Sequence, residues 1–179
     1  MATKTKWVID PTHSEVAFKI KHLMISNVKG NFSEFEATAL TDGDDFSSAE
    51  IDVKINTASI NTGVADRDGH LKSPDFFDAE KYPAMTFKSK SFSGSGDEYV
   101  LEGDFTIKDV TKPVSLNVEF GGLMTDPWGN VKAGFTIEGK INRKDFGLNW
   151  NAALEAGGVL VGEEVKLSAE IEMLKVAEA

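Results

Sequence analysis

Hydrophobic and polar residues alternate along most of this chain. In SEVAFKIKHL, Val16, Phe18 and Ile20 share one face and Lys19 and Lys21 the other, the period of a half-buried strand. AEIDVKIN repeats the pattern, with Ile51, Val53 and Ile55 set against Asp52, Lys54 and Asn56. It returns at Tyr99, Leu101, Gly103, Phe105 and Ile107, then at Val114, Leu116, Val118 and Phe120. Val131, Ala133, Phe135, Ile137 and Ile141 form the next run, and Val165, Leu167, Ala169, Ile171 and Met173 the last. GNFSEFEATAL and AMTFKSKSF are weaker, because their parity slips partway, as a bulge would require. TDGDD, SGSGDE, DVTKP and DPWGN supply turns between the runs. The pattern predicts an all-β chain of about eight strands with no βαβ rhythm, hence a sandwich or a closed antiparallel barrel. Closure removes exposed edges.

Two stretches depart from alternation. VADRDGHLKSPDFF, continuing to Tyr82, reads as a short helix with a charged start and an apolar end, suited to plug one mouth of a barrel. Arg67 is expected to pair with an acid of the loop or a neighbouring strand, while Leu71, Phe76 and Phe77 press inward. NRKDFGLNWNAALEAGGVLVGEE reads as a long irregular loop. The inner face mixes bulky residues with Gly103, Ala133, Gly139 and Ala169, which suits a cavity and a close-packed core alike.

Composition narrows the function classes. At 179 residues the chain suits one domain, 1–179, with a patterned core over 7–175. A hydrophobic content of 41% beside 27% charged residues is the balance of an ordinary soluble globular protein. A net charge of -10 with no lysine–arginine block argues against nucleic acid and anionic lipid surfaces as partners. The absence of cysteine excludes disulfides, thiolate catalysis and zinc–thiolate sites. No apolar run follows the first residues as in a secretory signal, and AALEAGGVLVG at 152–162 is too short and glycine-rich to span a bilayer. The expectation is a cytoplasmic protein as written, without stable membrane insertion, and a periplasmic one had a leader been removed.

Candidate chemistry is sparse. His13, His22 and His70, with Asp10, Asp66 and Asp68, could serve a metal-dependent hydrolase if they converged. However, His13 and His22 lie an odd number apart, and no HxH or HExxH spacing occurs. Ser14 adjoins His13, but neighbours on a strand diverge, and neither a GxSxG elbow nor a phosphate loop is present. No catalytic residue and no required cofactor are expected.

The runs WVIDPTHSEVAFKIKHLMISNVKGNF, RDGHLKSPDFFDAEKYPAMTFKS, GDFTIKDVTKPVSLNVEF, INRKDFGLNW and GEEVKLSAEIEM resemble, in order, those of the YceI-like family, from about Trp7 to Met173. The resemblance implies a single eight-stranded, lipocalin-like antiparallel barrel that binds, carries or stores a polyisoprenoid, an isoprenoid quinone or another long-chain amphiphile. It also implies possible homodimers and, in some members, a stress response; a ligand-free stress module is the alternative to the carrier and the hydrolase. With that family in view, the expected apolar lining is Phe18, Ile20, Phe32, Val53, Ile55 and Phe87, continued by Phe105, Ile107, Leu116, Val118, Phe135 and Ile137. The expected rim or plug is His22, Arg67, Asp68, His70, Leu71, Phe76 and Phe77, with AALEAGGVLVG as a candidate lid.

Overall fold

The structure, a computed structural model, describes residues 4–23, 25–148 and 161–176. Its strands are β1 (Lys4–Ile9), β2 (Glu15–His22), β3 (Ser26–Phe32), β4 (Phe35–Asp42), β5 (Asp45–Asn56) and β6 (Ile60–Asn61). After one helix, α1 (Ala65–Lys72), come β7 (Ala84–Ser95), β8 (Glu98–Ile107), β9 (Val110–Thr125), β10 (Val131–Asn142) and β11 (Val161–Lys175). The ring runs β1-β4-β5-β7-β8-β9-β10-β11 and closes where β11 pairs with β1. All its pairings are antiparallel. This is a closed eight-stranded barrel, one of the two architectures that the alternation allows and the one that the family resemblance implies.

The three remaining strands prolong ring members. β11 holds β1 at Met173, Leu174 and Lys175 and holds β2 from Glu170 back to Val161, so β1 and β2 are one long strand with a break. The break is a single turn, Pro11–His13, where proline lacks a ladder donor and the Asp10 carboxylate accepts from the Thr12 N–H at 3.2 Å. β3 with β4, and β5 with β6, are interrupted in the same way.

These interruptions explain the slipped parity. Phe32 and Phe35 are an odd number apart, yet both face inward because the chain breaks between them. A register shift between Ser89 and Ser91 likewise lets Phe87 and Phe92 both be buried.

The interior divides into two apolar clusters. At the base, Trp7 is fully buried; its Nε1–H donates to Thr41 Oγ1 at 2.9 Å and its ring lies 4.9 Å from Phe46. Phe46 in turn meets Phe135 at 5.0 Å, and Phe135 stacks on Phe120 at 5.2 Å. At the opposite end Phe32, Ile55, Ile60, Phe76, Met85, Ile107, Phe146 and Leu148 pack together. The small inner residues are needed where walls approach closely. A Cβ on Gly103 would overlap the Lys88 carbonyl oxygen, and one on Gly139 would overlap the Leu116 side chain. Among the described residues no helix is long and apolar enough to cross a membrane.

Replacing Trp7 by alanine empties the centre of the base cluster and leaves Thr41 without its indole donor. We expect a loss of about 3–5 kcal/mol in denaturant unfolding. A loss below about 1 kcal/mol would mean that the base does not depend on this anchor.

Candidate functional site

Between the clusters lies a cavity of about 370 Å³ that the side chains leave unfilled. It reaches from Phe46 and Met173 near the base to His22 and Val161 at the α1 end. Along β11 its wall includes Val161, Val165, Leu167, Ala169, Ile171 and Met173. Twelve steps of strand at about 3.3 Å each cover about 40 Å. A tilt of about 40° turns that into about 30 Å along the barrel axis. The space is therefore long, narrow and apolar, with polar side chains concentrated at one end.

Every residue expected as lining borders this cavity: Phe18, Ile20, Phe32, Val53, Ile55, Phe87, Phe105, Ile107, Leu116, Val118, Phe135 and Ile137. Of the expected rim, His22, Arg67, His70, Leu71, Phe76 and Phe77 border it and Asp68 does not. Asp68 instead accepts from the Thr62 N–H at 2.8 Å and from its hydroxyl at 2.5 Å. The expected pairing of Arg67 with an acid is corrected: Arg67 makes no ion pair among the described residues. Its Nε–H donates to Thr62 Oγ1 and its Nη2–H to the Thr62 carbonyl, both at 2.8 Å. Thr62 offers a hydroxyl and a carbonyl in one fork-shaped place, so it receives the guanidinium while its own donors go to Asp68.

The plug also differs in detail from the expectation. α1 buries none of its residues; the seal is made by the turn after it, where Phe76 is buried with its ring 5.1 Å from His70. His70 Nε2 lies 3.0 Å from Asp75 Oδ2, and Phe77 meets Phe32 edge-on at 6.2 Å. The candidate lid falls at 152–160 outside the described residues; its last two positions, Val161 and Gly162, begin β11.

Arg143 is a mouth residue that sequence reasoning passed over. It opens the turn Arg143–Phe146, which ends on Gly147 in the left-handed conformation at φ 79. Arg143 is 2% exposed and borders the cavity. Nε donates to the Gly162 carbonyl at 2.7 Å, Nη1 to Leu148 at 2.6 Å and Nη2 to Val161 at 3.3 Å. It thus fastens Leu148 to the start of β11. Burial pulls its pKa down, and the nearby Glu163 carboxylate opposes that shift. The signal in the sequence was an arginine between the apolar end of β10 and an aromatic turn, in INRKDFG.

The histidines do not converge. His13 lies in the turn beside Asp10, whereas β2 carries His22 to the far end and His70 sits on α1. One acidic group does gather near His13: Asp10, His13 and Glu172 bring ligand-type atoms within 4.8 Å of one another. A cation already stands there. Lys132 Nζ is 3.1 Å from Asp10 and 3.0 Å from Glu172, with Asp126 at 3.9 Å. Hydrogen bonds from Thr12 and His13, with Lys132 adding, hold the Asp10 carboxyl far below its ordinary 3.8. Glu172 and Asp10 in turn raise the pKa of Lys132. The cluster is a pin between β1, β10 and β11.

A depressed carboxyl pKa stabilises the fold above the unfolded value and ceases to do so as pH falls through the folded one. Wild type should therefore exceed Asp10→Asn in unfolding midpoint at neutral pH, and the gap should shrink as the pH drops below about 4. A gap that stays constant from neutral to strongly acidic pH would contradict this account of the pin.

A family model described as YceI-like domain matches residues 7–173. A UPF0312 protein of Staphylococcus aureus (strain MSSA476) is 42% identical over 169 residues, covering 94% of this chain and 96% of its own. The crystal structure of a Campylobacter jejuni YceI protein superposes with TM-score 0.72 at 36% identity, over 89% of this chain and 91% of that one. A polyisoprenoid binding domain from Saccharophagus degradans, implicated in plant cell wall breakdown, shares the fold at TM-score 0.66 and 15% identity, over 95% of this chain and 98% of that one.

Proposed function

We propose that this chain, which belongs to the YceI-like family, is a non-catalytic binder that carries or stores a polyisoprenoid, isoprenoid quinone-like or other long-chain amphiphile inside its barrel. The observation that carries this reading is the shape of the cavity: about 370 Å³ drawn out between Met173 and Val161, with a lining that is apolar apart from Ser168 and the basic residues gathered at one end. Burying a methylene gains about 0.8 kcal/mol, so ten of them gain about 8 kcal/mol before the costs of association. A tail alone can therefore dominate binding, and groups at the mouth select the head. The polyisoprenoid named for the Saccharophagus degradans domain is a ligand of this shape in a barrel of this fold. The lipid is cargo in this reading, since the wall that meets its tail is almost wholly apolar.

Phe105 lies mid-wall, with ring centres 6.3 Å from Phe87 and 5.8 Å from Phe146. Phe105→Asp should reduce uptake of a fluorescent polyprenyl probe at least tenfold, with the strand signature of the far-ultraviolet circular dichroism retained. Asp68→Asn, which weakens the Thr62 clasp away from the cavity, should cost about 1–3 kcal/mol of stability and leave uptake near wild type. The reverse pattern, uptake lost in Asp68→Asn and kept in Phe105→Asp, contradicts the carrier reading.

A further inference from the structure

The charged residues around the cavity carry one sign. Lys21, His22, Arg67, His70 and Arg143 border it, and no aspartate or glutamate does among the described residues. This is contrary to the chain as a whole, with 29 acidic against 19 basic residues. All five gather at one end: Lys21 and His22 close β2, Arg67 and His70 lie on α1, and Arg143 follows β10. The acids that accompany them stay outside the lining. Asp75 meets His70, Asp68 holds Thr62 behind Arg67, and Glu163 lies near Arg143.

One of these groups can still take a ligand. Thr62 receives two N–H groups of Arg67, and a guanidinium has five to give. Lys21 is exposed and alternates with the inward-facing Ile20, so it adds its charge from the outer face of β2. An apolar wall of low dielectric beneath them strengthens their attraction for a charge placed at the mouth. The negative charge of the remaining surface acts over longer distances and is screened beyond about 8 Å at physiological salt.

We propose that the ligand is an amphiphile with an anionic head, a carboxylate or a phosphate, held by Arg67 while its tail fills the barrel. This rests on the carrier reading and adds the chemistry of the head. A planar guanidinium grips either oxyanion through two parallel N–H groups, whereas an alcohol or ester offers no charge to meet it.

The test uses two matched pairs, palmitic acid with its methyl ester and geranylgeranyl phosphate with geranylgeraniol, titrated into the delipidated protein at neutral pH. The anion of at least one pair should bind about tenfold tighter than its neutral partner, and the pair with the larger ratio identifies the head. Arg67→Gln should narrow that ratio to about two- or threefold, as should high salt. Arg67→Lys, which keeps the charge, should retain most of the ratio and guards against misfolding as the cause. Equal affinities within both pairs overturn the anionic head while leaving a lipid carrier. Failure of all four compounds to bind overturns both readings.

Discussion

The closing pair of β11 with β1 is the constraint on which the rest depends. Three residue pairs, Trp7 with Lys175, Val8 with Leu174 and Ile9 with Met173, turn an open sheet into a ring. Once the ring is shut, every inward side chain must share one enclosed space, and no strand of the ring can move aside to collapse it. Trp7 sits at that seam and fills the base, with Phe46, Phe120 and Phe135 stacked beyond it. The cavity begins at this base, where Phe46 and Phe135 border it, and is what the ring leaves over.

The seam also explains why the charged features fall where they do. β11 must bond β1 and then β2, and the chain has to step between them through Asp10, Pro11, Thr12 and His13. That step exposes carboxylates at a strand junction, and Lys132 from β10 gathers them. The result resembles a metal site in its atoms but already holds a cation of its own. At the other end Arg143 plays a comparable part with backbone carbonyls, holding Leu148 against the start of β11 beside the opening. Two cations thus brace the barrel, one at each end of the long strand.

Much of this was legible in the sequence because a strand with one buried face has a period of two. Val16, Phe18 and Ile20, or Leu116 and Val118, could have faced only one way in a closed sheet, and they border the cavity. The slips at Phe32 and Phe35, and at Phe87 and Phe92, were visible as lost parity and proved to be a break and a bulge. What alternation cannot carry is partnership across the fold. Arg67 was matched with an acid on charge alone, whereas the nearest suitable acceptors belong to Thr62, a residue that no pattern marks. Arg143 went unnoticed because three backbone carbonyls, which have no letter of their own in a sequence, hold it. The cluster near His13 needed Lys132 and Glu172, more than a hundred residues away in the chain.

The central claim is that the space enclosed by the ring is made for a long lipid tail. It is tested most directly by native mass spectrometry of the purified protein, followed by organic extraction and identification of what is released. The account predicts one amphiphile per barrel, lost on extraction and regained on incubation with the isolated lipid. A mass equal to the bare chain, unchanged after incubation with polyprenyl and fatty amphiphiles, would contradict it.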